Sequence, residues 1–271
     1  MKVADKALLV TLVLALTSIS AATQAAAQAA PPKAPDTKTQ ALPTKTQDVT
    51  FTSDKDTLGG FLAVPDKAGT FPAVIVIHEW WGLNDWVKDQ SVKIAGLGYV
   101  TLAVDLYRGK ATTDPTEAHE LSRGLPQDRG LKDIQAAYDY LIARKDVTKD
   151  RIAIIGWCMG GGYAVQFAIR QPRLSALVIN YGALPTDPND LQQIAAPVLG
   201  NFGADDKGIT PTDVHAFEDY LKKINHYVDV KIYPGAGHAF ENPNNVNGYR
   251  PQAAADAWNR TVAFLRRSLG S

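Results

Sequence analysis

One stretch constrains this chain more than any other. Gly156-Trp157-Cys158-Met159-Gly160 carries the only cysteine of the sequence, set between an apolar, β-branched run and a helical pattern. Ahead of it, Arg151-Ile152-Ala153-Ile154-Ile155 has the composition of a buried parallel strand; behind it, Gly161 to Arg170 suits a helix. A strand that turns straight into a helix through Gly-x-nucleophile-x-Gly forces the central residue into a strained backbone conformation that only small neighbours tolerate. The thiol then sits at a helix N-terminus, where the dipole and free N–H groups favour negative charge. The plainer alternative is a structural cysteine beside a glycine-rich turn, since free cysteine is among the most buried residue types. The rest of the chain decides between the two.

Strands and helices alternate through most of the 271 residues, which favours one large α/β domain over two small ones. Lys plus Arg and Asp plus Glu both total 28, so no net field draws the chain to nucleic acid or to an anionic membrane. At the N-terminus, Lys2 and Lys6 precede an apolar core from Ala7 to Leu16 and then small residues with Ala-x-Ala sites between Ala21 and Ala30. This three-part pattern predicts a signal peptide over residues 1–30 and export to the periplasm or the medium. The apolar core is too short to span a bilayer comfortably, so no stable membrane anchor is expected after cleavage. Residues 31–47, rich in Pro, Thr, Lys and Gln, read as a flexible lead-in, and residues 48–271 as the folded domain. A single cysteine allows no intrachain disulfide.

Asp48 to Thr52 and Leu58 to Val64 read as an antiparallel hairpin at one sheet edge. Ala73-Val74-Ile75-Val76-Ile77 is a continuous apolar run typical of a central parallel strand, followed after Asn84 by a helix with Trp86, Val87 and Ile94 on one side. Further strands are expected at Tyr99 to Val104, 151–157, Ala176 to Tyr181, Pro197 to Phe202 and Val228 to Tyr233. Helical spacing recurs at Leu131, Ile134, Tyr138 and Leu141, near Asp213 to Lys223, and in a closing helix carrying Ala254, Trp258, Val262 and Leu265. Tyr107 to Pro126 is polar and irregular, a plausible flap. The sum is a doubly wound, mostly parallel sheet of about eight strands with an antiparallel N-terminal hairpin.

In open α/β sheets, functional groups collect at the carboxyl ends of the strands. Gly203-Ala204-Asp205-Asp206 and Pro234-Gly235-Ala236-Gly237-His238 each follow a strand, so both loops fall on the edge that carries Cys158. His215 lies near a helix start and His226 precedes its strand, which leaves His238 as the histidine placed to take the thiol proton. Asp206, carried further past its strand than Asp205, is the expected orienter of that imidazole. The order nucleophile, acid, histidine has each member on a loop after a different strand. His78-Glu79-Trp80-Trp81-Gly82-Leu83-Asn84 follows an earlier strand, so the N–H groups of Trp80 and Met159 are expected to form an oxyanion hole. Glu79 is read either as a carboxylate that controls the thiol or as a salt bridge or turn cap. Trp80, Trp81 and Trp157 are candidates for an apolar pocket and Arg108 for holding a substrate carboxylate, with core packing and simple exposure as their alternatives. No metal or cofactor is expected: the histidines are dispersed, and no glycine-rich phosphate cradle follows an early strand.

Together these motifs, with Asp105-Leu106-Tyr107-Arg108 and Gly237-His238-Ala239-Phe240, resemble the dienelactone hydrolases, the carboxymethylenebutenolidases of the α/β-hydrolase superfamily. The resemblance runs from about Asp48 to the C-terminus. It implies an α/β-hydrolase fold, a triad of Cys158, Asp206 and His238, and a Glu79 that holds a neutral cysteine until substrate arrives. Members that hydrolyse dienelactone carry a second arginine four residues after the histidine, where this chain has Asn242. The expected activity is hydrolysis of a small-molecule lactone or other carboxylic ester through a Cys158 thioester. The alternative is a thiol redox protein that uses the same activated cysteine.

Overall fold

Residue alternation along the central strands determines how the sheet is covered. In strand β3 (Phe71–Ile77), Ala73, Ile75 and Ile77 enter one apolar cluster while Val74 and Val76 enter another. Strand β5 (Val147–Trp157) divides the same way, with Ile152 and Ile154 on one face and Ala153, Ile155 and Trp157 on the other. Strands buried on both faces require helices on both sides of the sheet. Each fully buried Val or Ile side chain in them stabilises the fold by about 1.5–3 kcal/mol relative to exposure, so these strands form a stiff base for whatever their ends carry.

The computed structural model describes residues 41–270, which fall in a single compact unit. Its remaining strands are β1 (Thr44–Ser53), β2 (Asp56–Pro65), β4 (Val100–Val104), β6 (Ala176–Asn180), β7 (Val198–Gly203) and β8 (Val228–Tyr233). They form one eight-stranded sheet in the order β1-β2-β4-β3-β5-β6-β7-β8. The β1–β2 and β2–β4 pairs are antiparallel and all other neighbours are parallel. Helices α1 (Asp85–Ala95) and α7 (Pro251–Leu269) cover one face. Helices α3 (Gln127–Ala143), α4 (Met159–Arg170) and α6 (Pro211–Lys223) cover the other. Two short helices, α2 (Pro115–Arg123) and α5 (Pro188–Leu191), lie in the connections. The order reverses at β3, whose neighbours are β4 and β5, and a crevice opens at such a switch point beyond the carboxyl ends of the strands.

Two features differ from the sequence reading. The hairpin is longer than expected: β1 starts at Thr44, inside the segment assigned to the lead-in, because residues 44–47 pair with residues 62–65 of β2. In α7 the fully buried stripe is Ala257, Thr261, Phe264, Leu265 and Leu269, while Ala254, Trp258 and Val262 are only partly covered. The expected signal peptide and most of the lead-in lie outside the described residues. Among the described residues, no helix is long and apolar enough to cross a membrane.

Candidate active site

Cys158 occupies the turn between β5 and α4 with φ 55° and ψ −120°, a left-handed conformation that strains any residue with a Cβ. Its neighbours show why the motif needs glycine. A Cβ on Gly156 would run into the backbone of Gly160, and one on Gly160 into the carbonyl groups of Ile77 and His78. The second collision places the elbow directly against the end of β3. Ile77 and Gly156 are register partners, so the residues following β3 and β5 emerge side by side.

The loops after β7 and β8 are tied together by backbone hydrogen bonds, Ala204 N–H to the Tyr233 carbonyl at 2.9 Å and Asp205 N–H to the Ala236 carbonyl at 2.8 Å. Asp206 and His238 thereby meet: His238 Nδ1 lies 2.7 Å from Asp206 Oδ2, and His238 Nε2 lies 3.0 Å from Cys158 Sγ. Asp206 Oδ1 accepts from the N–H groups of Gly208 and Ile209 at 2.8 and 3.1 Å, which fixes the carboxylate. Burial opposes its charge, but the hydrogen bonds from His238 and from these amides outweigh that and hold its carboxyl below the usual range. For His238, burial likewise opposes the imidazolium, and the hydrogen bonds to Asp206 and Cys158 overcome it and raise the pKa to about 10. An imidazole with that affinity for protons, within hydrogen-bond reach of the sulfur, is equipped to take the thiol proton and keep it nearby.

Glu79 follows β3 with only 1% of its surface exposed. Its Oε2 accepts from Asn242 Nδ2 at 2.6 Å and its Oε1 from the Tyr181 hydroxyl at 3.3 Å. Burial pushes its pKa up to about 7, against the opposing effects of these hydrogen bonds and of His238. The arrangement implied by the resemblance, with Glu79 holding a neutral thiol, is not the one seen. Both carboxyl oxygens are engaged elsewhere, and the sulfur meets His238. Asn242, at the position where the resemblance has arginine, is the partner of Glu79, and its neutral amide supplies a hydrogen bond without the counter-charge of a guanidinium.

Unfolded Glu79 ionises near 4.5 and folded Glu79 near 7, so the folded state holds an extra proton between these values and stability is lost as pH rises through that window. Glu79→Gln is expected to flatten the decline in Tm between about pH 5 and about pH 8 in a thermal melt series. His238 and Glu241, whose carboxyl burial pushes up to about 8, contribute declines of their own that this variant retains. A slope identical to that of the parent chain would show that Glu79 is not the titrating group.

Met159 is the first residue of α4, so its N–H has no intrahelical acceptor and is free to bind an oxyanion. The second expected donor, Trp80 N–H, is oriented by a residue the sequence reading left without a role. His78 is fully buried, and its Nε2 accepts from Leu106 N–H at 3.2 Å, which puts the ring proton on Nδ1. Burial lowers its pKa, so the ring stays neutral and Nδ1–H donates to the Glu79 carbonyl at 2.6 Å. Gly82 N–H donates to the same oxygen at 3.2 Å. The Glu79–Trp80 peptide is trans and planar, so fixing its carbonyl fixes the Trp80 N–H in the opposite direction. His78→Ala is expected to lower kcat for ester hydrolysis by about 10- to 100-fold with little change in KM. An unchanged kcat would reduce His78 to a packing role.

The matching family model is the dienelactone hydrolase family, over residues 58–269. The chain belongs to that family. A Bradyrhizobium protein named "Probable 2-oxo-3-(5-oxofuran-2-ylidene)propanoate lactonase" is 34% identical over 219 residues, 76% of this chain and 88% of its own length. A Saccharolobus solfataricus protein named "Putative carboxymethylenebutenolidase" is 33% identical, covering 82% of this chain and 98% of its own. Among solved structures, a dienelactone hydrolase-like promiscuous phosphotriesterase from metagenomic libraries superposes with a TM-score of 0.78 at 26% identity, covering 84% of this chain and 99% of that one. The chain is therefore an α/β-hydrolase-fold member of a hydrolase family.

Within this family frame, two of the expected site residues lie elsewhere. Arg108 donates to both oxygens of Asp133 at 2.8 and 3.0 Å and approaches Asp56 at 3.6 Å. Asp133 is fully buried and also accepts from Ser53 Oγ at 2.6 Å, so Arg108 locks the hairpin and α3 to the end of β4 and is not offered to a substrate. Trp157 is 2% exposed and packs edge-on against Trp86, its Nε1 donating to Glu241 at 3.1 Å. It belongs to the core because, one residue before Cys158, it still follows the alternation of β5. Trp80 and Trp81 do line the cavity over Cys158 and His238, with ring centroids 4.8 Å apart. Part of the expected flap contributes to the same wall, since Thr112 N–H donates to the Trp81 carbonyl at 3.0 Å. Tyr181 was not singled out from sequence, although it directly follows β6 on the catalytic edge and the strand-end rule points to it. Among the described residues, no group of three or more His, Cys, Asp or Glu could hold a metal ion.

Proposed function

We propose that this chain is an exported hydrolase that cleaves a small-molecule lactone or other carboxylic ester through a thioester on Cys158. The observation that carries the reading is the bridge made by His238, 3.0 Å from Cys158 Sγ and 2.7 Å from Asp206. His238 holds the thiol proton as an imidazolium, the sulfur attacks the ester carbonyl, and the tetrahedral oxyanion is met by the N–H groups of Met159 and Trp80. Collapse breaks the carbonyl–alkoxy bond and forms the thioester, while the imidazolium returns its proton to the departing alkoxide. In a lactone the freed hydroxyl stays tethered to the acyl group. Water, deprotonated by His238, then attacks the thioester; the acid leaves and the thiol is restored.

Glu79 in this scheme is an electrostatic support. Ionised, it attracts the nearby imidazolium, the counterpart of the effect of His238 on Glu79. The name of the Bradyrhizobium relative favours a lactone among the possible esters. The test is hydrolysis of p-nitrophenyl esters and small lactones by the parent chain and by Cys158→Ala: turnover only by the parent is expected, and equal turnover by both overturns the thioester route. Export rests on the N-terminal pattern of residues 1–30. Cell fractionation checks it, with a shortened chain expected outside the cytoplasm and a full-length cytoplasmic chain contradicting it.

A further inference from the structure

The cavity over Cys158 is about 780 Å³, large enough for a group well beyond an acetyl chain. Its walls are chemically uniform in one respect. Among the described residues, neither Lys nor Arg lines it. The two side chains best placed in sequence to anchor a substrate carboxylate are both excluded, Arg108 by its ion pair with Asp133 and position 242 by being an asparagine bound to Glu79. His238, the one group on the walls that carries a positive charge, is committed to Asp206 and Cys158. Glu79 at the base adds negative charge once ionised. An anionic substrate would therefore lose its hydration without gaining a counter-charge.

What the walls do offer is neutral hydrogen bonding beside flat aromatic surface. Asn84 uses Oδ1 to cap α1 by accepting from Val87 N–H at 3.2 Å, which leaves its Nδ2 donors available. The side chains of Thr113, Asn244 and Asn247 have no partner among the described residues and stand on the same walls, on loops after β4 and β8. By contrast, Asn245 is consumed in holding its own loop, donating to the His238 and Ala239 carbonyls at 3.2 Å. Amides and hydroxyls both donate and accept, and so does an alcohol, whereas a carboxylate only accepts. The indoles of Trp80 and Trp81 are partly exposed at this cavity and suit the C–H face of a ring whose edge carries hydroxyls.

We propose that the substrate is an ester or lactone of a neutral sugar, with the ring against Trp80 and Trp81 and its hydroxyls on Asn84, Thr113, Asn244 and Asn247. This rests on the ester-hydrolase reading above, so the experiment separates the two. The full chain is assayed with p-nitrophenyl acetate as a general ester, and with acetate esters of a methyl glucoside, of the corresponding methyl glucuronide and of cyclohexanol. The glucoside ester is expected to exceed both the glucuronide and the cyclohexyl ester in kcat/KM by about tenfold or more. Asn244→Arg, which puts a guanidinium on the wall, is expected to raise kcat/KM for the glucuronide ester by about tenfold. Trp81→Ala is expected to lower the ratio of glucoside-ester to p-nitrophenyl acetate turnover. Cys158-dependent hydrolysis of p-nitrophenyl acetate without preference for the glucoside ester overturns the sugar proposal alone. Absence of Cys158-dependent hydrolysis of any ester overturns both.

Discussion

Cys158→Ala is expected to reduce kcat/KM for a p-nitrophenyl ester by about 10³-fold or more, because it removes the atom on which the proposed thioester forms. The residual rate would come from the oxyanion donors and the cavity, which the variant keeps. Cys158→Ser keeps the geometry but asks His238 to deprotonate a far weaker acid, so its rate is expected between those of the parent and the alanine variant. The strain at Cys158, with φ 55°, is shared by all three chains, so a simple loss of folding is checked by comparing their Tm values. Hydrolysis by Cys158→Ala at the parent rate would mean that the nucleophile is something other than the thiol.

The second large effect is expected for Asp206→Asn. The aspartate holds the Nδ1–H tautomer of His238 at 2.7 Å, and its hydrogen bond is the strongest of the influences that raise the pKa of the imidazole to about 10. An amide at 206 can face Nδ1 with its NH2 group and so favour the unproductive tautomer, since Gly208 and Ile209 N–H still engage its other end. A loss of about 10² to 10⁴ in kcat is expected. Alkylation of Cys158 by iodoacetamide near neutral pH should slow in parallel, because the base that takes the thiol proton is weakened. Parent-like values in both measurements would make Asp206 a turn cap and leave His238 to act alone.

The turn around Cys158, the meeting of Cys158, His238 and Asp206 and the sheet were legible because each rests on a short-range rule. Periodicity gave the strands, strand ends gave the catalytic edge, and glycine spacing gave the turn around Cys158. What stayed hidden depends on contacts between segments far apart in sequence. Nothing near Arg108 reveals that Asp133 reaches it from α3, or that Ser53 shares that carboxylate. Asn242 looked like a missing arginine, yet its amide holds Glu79 from 163 residues away. Trp157 beside Cys158 looked like a pocket residue, whereas strand alternation turns it into the core. The start of β1 was missed because Thr44 to Gln47 have lead-in composition and become a strand only by pairing with β2. His78 reads as one more polar residue in its motif until its two ring nitrogens are traced to Leu106 and Glu79.

Passage of the acyl group through the sulfur of Cys158 leaves a covalent adduct that intact-protein mass spectrometry can detect. The chain is mixed with an activated ester of slow-leaving acyl type, quenched in acid within the first turnover, and digested for peptide mapping. One added acyl mass is expected, located on the peptide containing Gly156 to Gly160 and absent from Cys158→Ala. Turnover by the parent chain with no adduct on that peptide at any quench time, or an adduct located on another side chain, would contradict it.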